Sequence, residues 1–540
     1  MIKKFFFRVC PKYGKIRGLR TDTVYHKILF PLVGLAALIW VIIRVLPKPS
    51  RAAYPCQQAA IPVAASFLAW LAGTTIGVML LKVARRYFSR KQLRTSLLYA
   101  VGGVMLFLGA QFVYNEYSNA QNPSENQYPF FYKANQPVGS AKGIYPGRVT
   151  WVRDVRATPW DGKTGKWWEQ GNINEEVLAS MYSKSLQGLS GSSSDKQAWD
   201  KLFRYFNKTH GRGNRGWQPG EVIAIKVNFN NTYSADDVDN DIDQSPQATR
   251  AILRQLTQAG VNQKDILVYD ATIGWKIRAL PDRVFQPLHK EFPEVRWMDA
   301  PGSPGREKAD WVANAITFTS PDVELGNELP KQVVDAAYLI NIALLKGHEI
   351  TGVTLCAKNH FGSIKYPQKD HNKYVSQMKG APGDYSAYVD LMGSPNLGGK
   401  TILYIVDGLY GMQTNVNAPK SDRDRWKRLF NGEWSASYFM SQDPVAIESV
   451  CLDFLWSEFQ DELGFSGAKW FPKGSSKNCD NYLIEAAKGV NAKYGFYRPN
   501  GVKTGSLGVH EHWNNAVEKK YSRNLGKGKG IELYPISTVR

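Results

Sequence analysis

The first 97 residues nearly lack acidic side chains. They contain one, Asp22, against 17 Lys and Arg residues, so this segment has a net charge of +16. The whole chain of 540 residues has a net charge of +21, which leaves +5 for the other 443 residues. A body so close to neutrality lacks the general basic surface that follows a nucleic-acid backbone. The charge distribution therefore predicts no nucleic-acid partner.

Cysteine is also scarce. The chain has five, of which Cys356, Cys451 and Cys479 follow residue 115, and none of them forms a Cys-x-x-Cys pair. This excludes a tetrathiolate zinc site and an iron–sulfur cluster built from the chain's own cysteines. A Cys451–Cys479 disulfide and buried free thiols are the two alternatives for the body.

Familiar catalytic motifs are absent as well. The sequence has no Walker A motif, no Gly-x-Ser-x-Gly and no His-Glu-x-x-His, and no Gly-x-Gly-x-x-Gly follows a strand pattern. Ordinary hydrolase and nucleotide triphosphatase classes lose their support.

Three uncharged stretches, 28–43, 61–81 and 95–115, interrupt the basic N-terminal segment. A bilayer core of about 30 Å needs about 20 apolar residues, so we expect three transmembrane α-helices. Lys27 and Arg44 can extend the first stretch by snorkelling. A cleaved signal peptide is the alternative for this first span.

Basic residues near span ends stay on the cytoplasmic side. The N-terminal tail and the loop 82–94 are both basic, and two spans separate them. The pattern predicts a bacterial cytoplasmic membrane protein with a cytoplasmic N-terminus, the lipid bilayer as a partner, and a periplasmic or extracytoplasmic body. We assign 1–115 to the membrane anchor, 116–145 to a linker and 146–540 to the extracytoplasmic domain.

The body alternates strand and helix patterns. Apolar runs at 221–229, 265–270 and 400–407 indicate strands, and Ser245-Pro246 and Asp443-Pro444 indicate helix starts, with Gly260 ending the first helix. This alternation predicts an α/β fold with a mainly parallel sheet and flanking helices.

Polar residues follow several of these strands. In parallel sheets such residues gather at one edge. The densest stretch is 344–374, where lysines, histidines and glycines suit an anion or a substrate carboxylate. A solvated basic loop is the alternative reading. The strand-end candidates are Lys226, Asn228, Asp270, Lys346, His348, Lys358, Asn359, His360, His371 and Asp407.

His510 and His512 have the spacing of metal ligands on one side of an extended segment. With a third ligand they would hold a divalent metal. Substrate-binding or acid/base roles and structural hydrogen bonding remain alternatives.

Three acidic features complete the set of candidates. The stretch 236–243 lacks the glycine and the final glutamate of an EF-hand, which leaves a looser calcium site or a solvated acidic loop. Asp407 ends a strand, where it can bind metal, act as a base or cap a turn. Asp443 is expected to be an N-cap.

Several blocks of the sequence resemble a family of bacterial and archaeal proteins, domain of unknown function 362. The matching blocks, in order, are IKVNFN, SPQATRAILRQLTQAG, ILVYDAT, LINIALLKGHEITGVTLCAKNHFGSI with KDH, LYIVDGLYGM and SQDPVAIESV. They cover about 220–460, and 461–540 resembles a subgroup extension. Some members carry added ferredoxin-type cysteine clusters, which this sequence lacks.

The resemblance and the residue types together give our expected roles. We expect a metal or an anionic small molecule at the strand ends, in a redox or transfer enzyme. An accessory subunit of a membrane-bound respiratory or secretion complex and a solute- or envelope-glycan-binding module are the alternatives. We assign His348, Lys358 and Asp407 as catalytic, Lys226, Asn228, Lys346, Asn359 and His371 as substrate-binding, and His360, His510 and His512 as metal ligands.

Overall fold

The computed structural model forms two compact units, Met1–Ser124 and Glu125–Arg540. It describes residues 7–9, 16–19, 30–45, 47, 55–106, 134–273, 277–323, 325–348, 352–366, 385–413, 418–421, 423–459 and 480–538.

The first unit is mainly helical. Its elements are the antiparallel strands β1 (Phe7–Val9) and β2 (Ile16–Leu19), followed by the helices α1 (Phe30–Arg44), α2 (Pro55–Ser89) and α3 (Leu93–Leu106).

Within the described residues, one helix is long and apolar enough to cross a membrane, at Phe67–Ser89. The expectation of three spans is therefore not confirmed. The first predicted span lies in α1, whose 15 residues extend about 22 Å at 1.5 Å per residue, short of the bilayer core. The third predicted span begins in α3, which is described to Leu106, and its remaining residues lie outside the described part of the chain.

The predicted basic loop 82–94 is mostly helical. Helix α2 continues to Ser89, and 90–92 alone separate it from α3. Lys82, Arg85 and Arg86 therefore extend from the end of a helix. Long basic side chains are tolerated there because their charged ends reach polar surroundings.

The second unit is an α/β fold. Its strands are β3 (Val138–Gly139), β4 (Arg148–Arg153), β5 (Ile223–Lys226), β6 (Ile266–Asp270), β7 (Arg296–Asp299), β8 (Glu307–Lys308), β9 (Trp311–Val312), β10 (Leu329–Pro330), β11 (Tyr338–His348), β12 (Gly352–Thr354), β13 (Thr401–Met412), β14 (Ser437–Ser441), β15 (Val490–Asn491), β16 (Gly495–Phe496), β17 (Val509–His510) and β18 (Glu532–Ile536). Its helices are α4 (Glu175–Ser190), α5 (Asp195–Thr209), α6 (Pro246–Ala259), α7 (Asp282–Glu291), α8 (Lys331–Val334), α9 (Cys356–Phe361), α10 (Ala387–Gly393), α11 (Lys427–Phe430), α12 (Pro444–Phe459) and α13 (Asn481–Lys488).

The central sheet has the strand order β18-β4-β14-β13-β11-β5-β6-β7-β8, with β12 paired to β11. The six consecutive strands β13, β11, β5, β6, β7 and β8 are parallel to one another. Strand β14 is antiparallel to both β13 and β4. The prediction of a mostly parallel sheet is thus confirmed.

The two longest strands lie at the centre of the sheet and are completely buried. Every residue of β11 and of β13 is buried, and one hydrophobic core lies on each face of the sheet. This explains why their sequences are continuous apolar runs instead of alternating patterns.

The predicted helix boundaries follow from local capping. The Ser245 side chain accepts a hydrogen bond from the Ala248 N–H at the start of α6, and Gly260 ends that helix with a φ of +103°. Helix α12 begins at Pro444, as expected. Each of these boundaries depends only on residues that are close to it in sequence, which is why the sequence predicted them.

The segments at both ends of the second unit are part of its fold. Residues 134–145, expected to end a linker, contribute β3, which pairs with β17, and the Asn135 N–H donates to the His512 carbonyl at 3.0 Å. Strand β18, in the predicted extension, runs parallel to β4 at the edge of the sheet.

Candidate functional site

Several of the predicted strand-end residues lie together near the carboxyl ends of β5, β6 and β11. Lys226 ends β5 and Asp270 ends β6, and the Lys226 Nζ lies 3.2 Å from Oδ2 of Asp270. Their side chains are 1% and 4% exposed. Burial lowers the pKa of Lys226, and the Asp270 carboxylate partly offsets this effect.

Asn359 connects the neighbouring strands. Its Oδ1 accepts hydrogen bonds from Nζ of Lys226 at 3.2 Å and from Nδ2 of Asn228 at 3.1 Å. Its Nδ2 donates to Oδ1 of Asn341 at 2.8 Å. Asn359 belongs to the short helix α9, so these bonds fix α9 against β5 and β11. Lys226, Asn228 and Asn359 therefore position one another.

A glycine permits the close approach of this helix. A Cβ atom at Gly362 would lie 2.9 Å from the Lys226 Nζ. The Gly362 carbonyl accepts a hydrogen bond from Oγ1 of Thr272 at 2.5 Å. A larger residue at this position would displace the lysine.

Lys358 is buried and 8% exposed. It has no hydrogen bond or ion pair in the part of the chain that the structure describes. Burial, followed by the charges of Lys346, Arg278 and Lys226, lowers its pKa to about 7. A substantial fraction of this amine is therefore unprotonated at neutral pH.

Lys346 lies near the carboxyl end of β11, and its Nζ donates to the Ile242 carbonyl at 3.1 Å. Asp243 is the residue after Ile242, and its carboxylate attracts the Lys346 ammonium group. Burial lowers the pKa of Lys346 and raises the pKa of Asp243.

The acidic stretch 236–243 is thus not simply a solvated loop. Asp243 is 1% exposed and accepts hydrogen bonds from the Asn231 N–H at 3.1 Å and Oγ1 of Thr232 at 2.8 Å. It contributes a buried carboxylate close to the lysines. Within the described residues, no group of metal-ligating side chains forms in this stretch.

Asp407 was expected to end a strand, but it lies inside β13, five residues before the end of that strand and beside Leu344 of β11. Its Oδ1 accepts from the Leu409 N–H at 3.0 Å and its Oδ2 from Nε2 of Gln244 at 3.4 Å. Burial raises its pKa to about 6. Asp407 and Asp243 line a common cavity of about 10 Å³, which is about the size of one water molecule.

Two arginines that the sequence did not single out also lie in this region. Arg278 is 6% exposed and its Nη2 donates to Oδ1 of Asn230 at 3.4 Å. The Arg283 guanidinium, with its side chain 3% exposed, lies 3.9 Å from Oδ2 of Asp243. Both arginines are on segments without a recognisable motif, so only the tertiary fold reveals them.

The remaining histidine candidates do not form one group. His348 is 5% exposed at the end of β11, where it pairs with Gly352. His360 is fully buried, neither ring nitrogen has a hydrogen-bond partner among the described residues, and burial lowers its pKa to about 3. His371 lies outside the described residues.

His510 and His512 form a second group with Asp480. One potential ligand atom from each residue lies within 4.8 Å of the others, and all three residues are buried. This group could hold a metal ion; among the described residues, His360 is not part of it. The sequence missed Asp480 because its position beside the histidines depends on the fold.

The cysteines and Asp443 have structural surroundings. Cys356 and Cys451 are buried free thiols, and Cys479 lies outside the described residues. Asp443 Oδ1 accepts from the N–H groups of Val445 and Ala446 at 3.1 and 2.9 Å, which confirms the predicted N-cap.

A comparison with protein families agrees with the position of the strand-end residues. Residues 223–453 match the family described as Domain of unknown function (DUF362). The match runs from the first residue of β5 into α12 and so includes all the described strand-end candidates. No curated protein matches the chain.

Proposed function

We propose that the protein is membrane-anchored and binds a small molecule bearing a phosphate or carboxylate group at the strand-end site. The observation that carries this proposal is the state of Lys358, a buried amine near other cations that has no hydrogen-bond or ion-pair partner among the described residues. The region contains five cationic side chains and four carboxylates, so positive charge is in excess; they are Lys226, Arg278, Arg283, Lys346 and Lys358, and Asp241, Asp243, Asp270 and Asp407. An anion would offset this excess of positive charge and accept hydrogen bonds from Lys358.

The bound anion would lie nearest to Lys358 and Arg278. These two side chains retain 8% and 6% exposure, whereas Lys226 and Lys346 retain 1% and 0%. Lys226 already contacts Asp270 and Asn359, so its role is to support the site. Lys358 and Arg278 would then be the direct donors to the ligand.

The same geometry favours a transfer enzyme. A lysine with a pKa of about 7 exchanges a proton readily at neutral pH, which suits a general acid or base. Asp407, with a pKa of about 6, offers a second such group. We assign Lys358 and Asp407 as the acid/base candidates and His348 as a further candidate at the same edge.

The binding site is tested by isothermal titration of the detergent-solubilised full chain with inorganic phosphate and, separately, with succinate. We expect Lys358→Met to weaken binding of the better ligand about 10- to 100-fold, because a charged hydrogen bond contributes about 1.5–3 kcal/mol. Lys290→Met, at an exposed position of α7, is the control and should bind normally. Equal affinity in wild type and Lys358→Met would exclude the site.

The membrane topology is part of the proposal. Its support is the basic charge of 1–97 and the apolar helix Phe67–Ser89. We propose three spans, a cytoplasmic N-terminus and a body outside the cytoplasmic membrane. A reporter fused after Asn115 should be active only on the outer side; cytoplasmic activity would reverse this orientation.

A further inference from the structure

We propose that Asp480, His510 and His512 bind a divalent first-row transition metal such as Zn²⁺. This site is independent of the strand-end site, with which it shares no residue. Nitrogen and carboxylate ligands in this combination suit zinc and its neighbours, whereas calcium and magnesium prefer all-oxygen sites. The potential ligand atoms already lie within 4.8 Å of one another.

The Nδ1 atoms of both histidines contact side chains of helix α12. Nδ1 of His512 lies 2.7 Å from Oδ1 of Asp453, and Nδ1 of His510 lies 2.8 Å from Oγ of Ser449. Metal-binding histidines commonly have their second nitrogen held by a carboxylate or another polar group in this way. The arrangement directs Nε2 of each histidine to the metal.

Ser449 and Asp453 are four residues apart in α12, so both side chains lie on one face of the helix. One face of one helix thus orients both imidazoles. Nε2 of His512 lies 3.0 Å from Oδ2 of Asp480. This separation is close to the distance between two ligands of a tetrahedral zinc with bonds of about 2.0 Å.

The alternative is a hydrogen-bond network without metal. In that network, a protonated His512 would bridge the Asp453 and Asp480 carboxylates, and His510 would only bond to Ser449. His510 therefore distinguishes the two cases, because the metal needs its Nε2 and the ion-paired network does not. Its ring centre lies 5.0 Å from that of His512.

The bound ion would join separate parts of the chain. Asp480 immediately precedes α13, and His510 ends β17. Through Ser449 and Asp453 the ligands also contact α12. We infer that the metal fastens α13 and β17 to α12, in addition to the hydrophobic contacts between them. Three protein ligands leave a fourth position for water.

The test is metal analysis of the full chain in detergent after exposure to Zn²⁺ alone and removal of excess ion. Wild type and the control His289→Gln, which changes an exposed histidine of α7, should each retain about one equivalent. His510→Gln should retain less than a tenth of this amount. A chelator should lower the Tm of wild type but leave the Tm of His510→Gln unchanged.

A second variant covers the case in which His510→Gln does not fold. Ser449→Ala keeps all three ligands but removes the group that orients His510, so we expect about a 10-fold weaker Zn²⁺ affinity. Tetrahedral Co²⁺ absorption in wild type, reached in Ser449→Ala only at about 10-fold higher Co²⁺ concentration, would give the same conclusion. Failure of folded wild type to retain Zn²⁺, or equal retention by His510→Gln, would overturn the metal site.

Discussion

The Asp453 carboxylate and the His512 imidazole form a buried pair, with 2.7 Å between Oδ1 and Nδ1. Asp453 is fully buried and His512 is 6% exposed. Burial would lower the pKa of His512, but the Asp480 and Asp453 carboxylates outweigh this effect and raise it. Asp453 thereby connects helix α12 to the segment that follows β17.

We expect Asp453→Asn to lower the free energy of unfolding by about 2–4 kcal/mol. Oδ2 of Asp453 accepts from the Tyr521 hydroxyl at 2.7 Å and the Trp513 N–H at 3.1 Å. In Asp453→Asn, an amide nitrogen in the position of Oδ2 would face two hydrogen-bond donors and could accept from neither. Tyr521→Phe, which removes one of these bonds, should cost about 1 kcal/mol. Urea unfolding followed by tryptophan fluorescence measures both; similar values for the two variants would contradict this account.

Anion binding should depend on the protonation of Lys358. Sulfate is a suitable probe because its own charge is constant near neutrality. Since the pKa of Lys358 is about 7, sulfate affinity should be highest below pH 7 and fall as the pH rises through this value. Titration calorimetry between pH 5.5 and 8.5, about 1.5 units beyond the pKa on each side, measures the profile. In Lys358→Met, sulfate affinity should no longer fall as the pH rises through 7. If the fall persisted, a titrating group other than Lys358 would be its cause.

The Lys226–Asp270 pair should respond asymmetrically to substitution. Asp270→Asn leaves a buried ammonium beside other cations, and we expect a loss of about 3–5 kcal/mol in stability. Lys226→Met should cost less, because Asp270 still accepts from the Phe229 N–H at 2.8 Å. The double variant should be more stable than Asp270→Asn alone.

An exposed pair provides the control for this double-mutant cycle. Arg204 and Asp200 lie 2.7 Å apart with side chains 45% and 48% exposed. Arg204→Ala should cost less than about 1 kcal/mol because solvent screens such pairs. Denaturant unfolding of all variants gives the comparison, and equal losses for the two single variants at Lys226 and Asp270 would refute the asymmetry.

Asp443 should contribute more to stability than an ordinary N-cap. Besides the helix N–H groups, its Oδ2 accepts from the Lys142 N–H at 2.8 Å and the Val509 N–H at 3.2 Å. Asp443→Ala should therefore cost about 3 kcal/mol or more, against about 1 kcal/mol for Ser245→Ala at α6. Thermal unfolding measures this difference, and comparable Tm changes would show that the extra bonds contribute nothing.

The parts of the fold that depend on neighbouring residues could be predicted from sequence. The apolar runs of β11 and β13 and the starts of α6 and α12 are such features. The meeting of Lys226 with Asn359 was accessible only in part, because Lys226 ends a parallel strand but Asn359 comes from helix α9, which follows the antiparallel strand β12. Their individual hydrogen bonds were not accessible.

The parts that depend on distant segments could not be predicted. Asp480 joins His510 and His512 only through the packing of α13 and β17 against α12. Arg278 and Arg283 approach the strand ends from segments with no motif. The membrane region is confirmed only in part, because among the described residues one helix, Phe67–Ser89, is long and apolar enough to cross a bilayer.

Strand β18 covers the outer edge of β4 but is made much later during translation. Strand β4 comprises residues 148–153, and its outer neighbour comprises 532–536. During translation, the outer edge of β4 stays uncovered while nearly 380 residues are made. An uncovered strand edge is a template for pairing with other chains. The newly made protein therefore has a prolonged interval in which a chaperone bound at this edge would protect it.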